Sequence, residues 1–224
     1  MHNLKNSVLD FFDALEGQSF QNLIDKSGLI PRISKSSANN FLLRYMESQD
    51  SSLFARLRMG GIRVKTIGVS IETKRCFESS SLKKIEFREL LDFDFWNSDL
   101  FRELDSIIFL PILKRNPKDQ LSFWRVGKPS ILSLDKNLLI EMSNDYVNYQ
   151  DFTRELIHNF ENHGKDSMKD FWNTKFPRGS TTSVLHMRPH ARARTDFDLS
   201  LVNYEITKHS FWLNIKFLNS YLIN

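Results

Sequence analysis

Gly60-Gly61-Ile62-Arg63-Val64-Lys65-Thr66-Ile67-Gly68-Val69 is the stretch whose pattern sets the fold. Two glycines break the chain, and β-branched residues then alternate with polar ones, which predicts a strand. Further on, Ser106 to Leu113 (Ile107, Ile108, Phe109, Leu110, Ile112) is a near-continuous apolar run, the pattern of a central strand buried on both faces. Asn116-Pro117-Lys118-Asp119 signals a turn, and Leu121 to Val126 is expected to return as a strand and close a hairpin. Val184 to Arg188 reads as another strand. Phe211 to Leu222 reads either as a strand followed by a helix or as one amphipathic helix.

Helical spacing surrounds these strands. Leu4, Val8, Phe11, Phe12 and Leu15 share one face of a helix that Gly17 stops. Ala38 to Glu47 predicts a second helix with Phe41, Leu42 and Tyr45 inward, and Asn97 or Ser98 is placed to cap a short helix through Leu104. Asp135 opens the longest helix, to Glu161, whose apolar face holds Leu138, Leu139, Met142, Tyr146, Tyr149, Phe152, Leu156 and Phe160. That aromatic stripe reads as core. Asn162 to Ser183 reads as a loop-rich connector with helix near Phe171. Strands and helices mix without strict alternation, so the expected class is α/β, a mixed sheet flanked by helices.

The chain has 224 residues, which predicts one large domain, with residues 1–30 as an N-terminal helical extension. With 41% hydrophobic residues and 19 Phe, it has the material for a core and is no disordered tail. The net charge of +4 favours an anionic partner. The single cysteine, Cys76, excludes an internal disulfide and a Cys-based zinc site, and suits a reducing compartment. No apolar run has the length of a membrane span, and Met-His-Asn-Leu-Lys-Asn-Ser lacks the apolar stretch of a signal peptide. The expected location is cytoplasmic, with no membrane partner.

Two segments bear on chemistry. From His186 to Arg194 every second residue is basic or titratable: His186, Arg188, His190, Arg192 and Arg194. In an extended backbone that spacing places them on one edge, with Met187, Pro189, Ala191 and Ala193 facing away. Arginine forks fit phosphate oxygens and the acceptor edge of guanine, so this comb is a candidate nucleic-acid contact. The competing reading is a solvated basic loop.

The second segment matters by what it lacks. Metal-dependent nucleases hold Mg²⁺ with carboxylates near a strand, in the pattern Asp, a gap, then Glu-x-Lys. Here Lys65 is present, but the strand carboxylate position holds Arg63, and upstream Leu53-Phe54-Ala55-Arg56 offers a guanidinium. Cations there repel Mg²⁺. Glu72-Thr73-Lys74 also fits Glu-x-Lys, with Asp50 as the nearest upstream Asp, and is the candidate for a relocated site. His158 and His163 are five apart, where a helical zinc pair needs four. No phosphate-binding glycine loop or serine nucleophile elbow is present, and Cys76 has no motif around it.

Gly61-Ile62-Arg63-Val64-Lys65-Thr66-Ile67 resembles the Gly-Ile-Glu-Leu-Lys-Thr-Ile strand of the MutH family, which includes GATC-cutting mismatch-repair and type II restriction endonucleases. Arg125-Val126-Gly127-Lys128-Pro129 is similar to its Arg-Val-Gly-Ser-Pro turn. Met187-Arg188-Pro189 is similar to its Ile-Arg-Pro DNA-reading loop, and Phe211 to Phe217 to its Phe-Tyr-Leu-Lys-Lys-Asn-Phe segment. Lys35 to Met46 resembles the first catalytic helix. The resemblance runs from about residue 30 onward and implies a restriction-endonuclease-like (MutH-type) mixed sheet.

By that resemblance the catalytic positions fall on Leu43, Arg56 and Arg63, and of the catalytic set only Lys65 is kept. The reading Arg-Pro is kept as Arg188-Pro189, the base-contacting Tyr becomes Trp212, and the Lys after Arg-Pro becomes His190. Lys35 and Lys128 join the expected DNA contacts, with Arg192 and Arg194. Some family members have two such domains, the C-terminal one catalytically silent. The implied role is that of a metal-free, GATC-binding effector half, with no cofactor of its own. Its implied partners are GATC-containing duplex DNA, a Mg²⁺-dependent catalytic N-terminal half of the same parent, and a second parent copy on DNA. Two alternatives stand beside it: an active Mg²⁺-dependent nuclease rebuilt around Glu72 and Lys74, and a protein-interaction module whose exposed patch would be drawn from Trp124, Trp172, Trp212 and the many Phe residues.

Overall fold

In the computed structural model, the described residues are 2–31, 36–189, 197–198 and 206–222, excluding the side chains of 2, 165, 166, 168, 169, 197, 198 and 206. His190, Arg192, Arg194 and Lys35 lie outside them. The elements in chain order are α1 (His2–Asp13), α2 (Phe20–Ser27), α3 (Ser37–Gln49), α4 (Ser51–Met59), β1 (Arg63–Ser70) and β2 (Ser80–Lys84). Next come α5 (Phe87–Asp92), α6 (Asp99–Leu104), β3 (Ile107–Lys114), β4 (Arg125–Val126), β5 (Ser130–Ile131), α7 (Lys136–His163) and α8 (Lys165–Lys175). The last are β6 (Leu185–Pro189), β7 (Phe197–Asp198), β8 (Ile206–Thr207), β9 (His209–Leu213) and α9 (Ile215–Leu222). The protein is thus mixed α/β. No described helix is long and apolar enough to cross a membrane.

The chain divides into two compact units, residues 1–78, 105–133 and 218–224 in the first and 79–104 and 134–217 in the second. The first is built on β1 and β3, which run parallel with Val64 beside Ile108 and Thr66 beside Leu110. Val64, Ile108, Leu110 and Ile112 pack with Val8, Phe12, Phe20, Phe41, Leu42 and Met46 from the helices. Residues 1–30 therefore supply side chains to this core. The glycine break is explained by Gly61, whose φ of +66° lies in the left-handed region where a side chain is strained.

The expected hairpin after β3 is shorter than its sequence suggests. Leu121 to Phe123 form a 3-10 turn, and only Arg125 and Val126 pair back, antiparallel, onto Leu113 and Ile112. Trp124 prefers the turn because its ring meets Phe20 at 5.7 Å and its indole N–H donates to the Asp119 carbonyl at 2.9 Å. Pro111 interrupts the ladder between the β4 and β5 pairings, and its carbonyl accepts the Gly127 N–H at 2.8 Å.

The second unit has an antiparallel sheet in the order β2-β9-β6 and a short β7–β8 pair. Asp135 caps α7, its side chain accepting the Leu138 N–H at 2.9 Å. The aromatic stripe is core: Tyr146 and Tyr149 are fully buried, and Phe211 of β9 stacks on Tyr146 at 5.7 Å. The connector after α7 holds more helix than expected, because Phe171, Trp172 and Phe176 all close on Phe152. Phe211 onward resolves as strand then helix, β9 into α9.

Gly127 tests the packing. A Cβ there would sit 2.9 Å from the Pro111 Cβ and 3.1 Å from its backbone oxygen. Gly127→Ala is expected to cost about 1–3 kcal/mol in urea unfolding; a loss under about 0.5 kcal/mol would show that this close approach is not a constraint.

Candidate functional site

The nuclease-like positions all lie in the first unit. Arg63 and Lys65 project from one face of β1, Arg63 exposed and Lys65 half-buried, while Val64 turns into the core. Arg56 is exposed in the last turn of α4, where a cation also complements the helix dipole. Leu43 packs its side chain against the core. An aliphatic group and guanidiniums at these places do not fit a divalent cation. Among the described residues no group of three or more His, Cys, Asp or Glu is placed to hold one.

Asp50, the upstream acid of the relocated candidate, has local structural work. Asp50 caps α4, accepting the Leu53 N–H at 2.8 Å. Glu72 and Lys74 lie in the tight turn after β1, where the Lys74 N–H donates to the Ser70 carbonyl at 3.0 Å and Lys74 takes a φ of +54°. Cys76 is buried, and burial pushes its thiol up to about 11, which leaves little thiolate near neutrality. His158 and His163 are exposed at the end of α7.

The DNA-reading positions lie in the second unit, on β6. Antiparallel pairing sets Arg188 beside Ser210 and His186 beside Trp212. The Arg188 guanidinium reaches diagonally over the Trp212 ring, 4.9 Å from its centroid. This cation–π contact ties the guanidinium to the ring and narrows the places the side chain can take. Arg188 and Pro189 are exposed. Lys128 is exposed in the first unit.

The edge of β6 away from β9 is anchored by α7. The buried Asp145 carboxylate accepts three backbone N–H groups, from Ser183 at 3.1 Å, Val184 at 2.7 Å and Leu185 at 2.8 Å. The Tyr149 hydroxyl accepts the Met187 N–H at 2.9 Å and donates to the Pro177 carbonyl at 3.0 Å. Burial raises the Tyr149 hydroxyl, so it stays a donor. Residues 185 and 187 thus find partners on α7, and the next position of that register is Pro189, which has no N–H to satisfy.

One expected member leaves the comb. His186 is buried at 6% exposure, so the side chains of β6 do not separate into a basic edge and an apolar one. Burial first, and then the Arg188 guanidinium, push its imidazole below the ordinary value. The candidate patch aromatics are covered in part. Trp124 lies under Lys114, Trp172 stacks on Phe176 and Trp212 lies under Arg188, while Phe93, Trp96 and Phe123 are exposed among the described residues.

Asp145 and Tyr149 were missed as supports of the site. Asp145 had a visible signal: it falls on the buried stripe, seven residues after Leu138 and four before Tyr149, where a carboxylate needs a partner. Comparison with known proteins finds no family model and no curated protein that matches this chain.

Asp145→Asn replaces an acceptor-only group by one that also presents N–H donors to converging N–H groups. The expected cost is about 2–4 kcal/mol in urea unfolding; a loss below about 1 kcal/mol would remove Asp145 as an anchor. His186 gives a pH signature. The unfolded imidazole protonates near 6.5 and the folded one only at lower pH, so unfolded chains bind more protons in that window. Stability falls as pH drops through it. His186→Gln is expected to flatten the change in melting temperature between about pH 7.5 and about pH 5.5; an unchanged slope would assign it to other groups.

Proposed function

We propose that this chain is a catalytically silent, sequence-reading DNA-binding module of restriction-endonuclease-like, MutH-type architecture. It binds GATC-containing duplex DNA and serves as the effector half of a type II restriction endonuclease. The observation that carries this reading is Arg188, lying over Trp212 at an exposed strand end that α7 anchors. A guanidinium held this way is preorganised to offer two parallel donors to guanine in the major groove. The resemblance of Met187-Arg188-Pro189 to the family's reading loop adds to it, and His190, Arg192, Arg194 and Lys35 are proposed contacts from the sequence alone.

Arg56 and Arg63 support the silent character, since cations at carboxylate positions favour phosphates over Mg²⁺. In this reading Mg²⁺ belongs to the parent's catalytic half. Binding of GATC here shifts the parent, as one copy or a dimer, toward the state in which that half cuts.

Fluorescence anisotropy on GATC and scrambled duplexes tests it. Arg188→Ala is expected to cost roughly 1–3 kcal/mol on GATC DNA and to flatten the preference over scrambled DNA. Equal losses on both would reduce Arg188 to a phosphate contact, and no preference in the unaltered protein would end the reading. Plasmid nicking with Mg²⁺ that disappears in Glu72→Ala would establish the relocated-site nuclease instead.

A further inference from the structure

Residues 114–128 hold five cations (Lys114, Arg115, Lys118, Arg125, Lys128) and one carboxylate, Asp119, a surplus equal to the net +4 of the whole chain. All other residues balance, so the protein's excess charge sits on one excursion of the first unit that leaves β3 and returns through β4. Pairing of Leu113 with Arg125 brings the ends of the excursion side by side.

Its frame is fixed by local contacts. The Asp119 carboxylate accepts the Arg115 backbone N–H at 3.0 Å, and Asn116 accepts that of Lys118 at 2.9 Å. The Lys114 ammonium lies 3.6 Å over the Trp124 ring and the Arg115 guanidinium 5.4 Å over Phe123. Arg125 donates to the Gly17 carbonyl at 3.1 Å. Among the described residues none of the five cations forms an ion pair; Glu78 and Asp119 act on Lys114 only at longer range. Arg115, Lys118, Arg125 and Lys128 are exposed. A rigid frame carrying unneutralised cations matches a row of phosphodiesters, whose counterions it displaces. A membrane surface is the poorer match, because within residues 114–128 Phe123 is the one exposed ring and Arg115 lies over it.

We propose that this excursion is a separate nucleic-acid contact, gripping the phosphodiester backbone of a duplex without regard to base sequence. It does not depend on Arg188 reading a base.

The test measures binding of a scrambled duplex at several salt concentrations. The variant is Lys118→Gln/Arg125→Gln/Lys128→Gln, and the control is Arg88→Gln/Lys136→Gln/Lys216→Gln, which removes the same charge from exposed positions of the second unit. The variant is expected to lose roughly tenfold or more in affinity near 0.1 M salt, with the log–log salt slope smaller by about two to three; the control is expected to change less than about threefold. Lys118→Gln/Lys128→Gln, which keeps the Arg125–Gly17 contact, is expected to show the larger part of the effect with unchanged melting. Equal losses in variant and control would reduce the effect to net charge and overturn the proposal. So would unchanged duplex binding, or a loss confined to phosphatidylserine vesicles. The variant is expected to lower GATC and scrambled affinity by the same factor. If the unaltered protein shows no GATC preference yet the variant loses scrambled binding, the reading at Arg188 fails and this contact stands.

Discussion

The Asp145 carboxylate, sealed on the core face of α7, accepts three consecutive backbone N–H groups at the start of β6. A buried carboxylate is tolerable only where charge-assisted hydrogen bonds replace its water, and here the donors all come from one short segment. The position of that segment is therefore tied to one helix residue. Tyr149, one turn on, repeats the tie at Met187, and Gln150 caps the end of α5 through the Leu90 and Phe93 carbonyls at 2.7 and 2.9 Å. The polar contacts of α7 thus do for the second unit what a central strand does for a sheet: they fix register, and with it the place of Arg188.

The first unit rests on a different principle. Its parallel β1–β3 pair is apolar toward the helices, while cations stand at outward positions of α4 and β1 and on the excursion after β3. Neither place builds a carboxylate cluster. Asp50, which sequence proximity offers to a relocated metal site, serves as a helix cap, and Asp119 in the excursion serves as a turn acceptor.

Much of this was legible in the sequence where local pattern and tertiary demand agree. The Ile107–Ile112 run, the Gly61 break, the Asp135 cap and the α7 stripe all follow from periodicity and capping chemistry. Residues 121–126 carry a strand pattern yet turn, because a turn can satisfy Trp124 as well as a strand, and only the placement of Phe20 decides between them. The helix at 165–175 was underestimated because its aromatics are distributed for packing on Phe152, with little periodicity of their own. At the candidate site the period-two comb was visible, but alternation says nothing about which side is covered. His186 is buried because its strand is packed on both faces at that end, whereas Arg188 lies where the cover stops. The anchoring by Asp145 and Tyr149 spans about 40 residues of chain and has no local signature beyond a carboxylate in an apolar stripe.

Pro189 has a bearing on solubility. Among the described residues β6 has a neighbour on one side only, and a bare strand border is a template on which another chain can assemble. With the inner N–H groups consumed by α7 and an imino acid at the tip, that border offers an incoming strand no donor to grip. In the proposed DNA-reading role the segment has to stand open to a large ligand, and these features would keep it from recruiting copies of itself into fibrils.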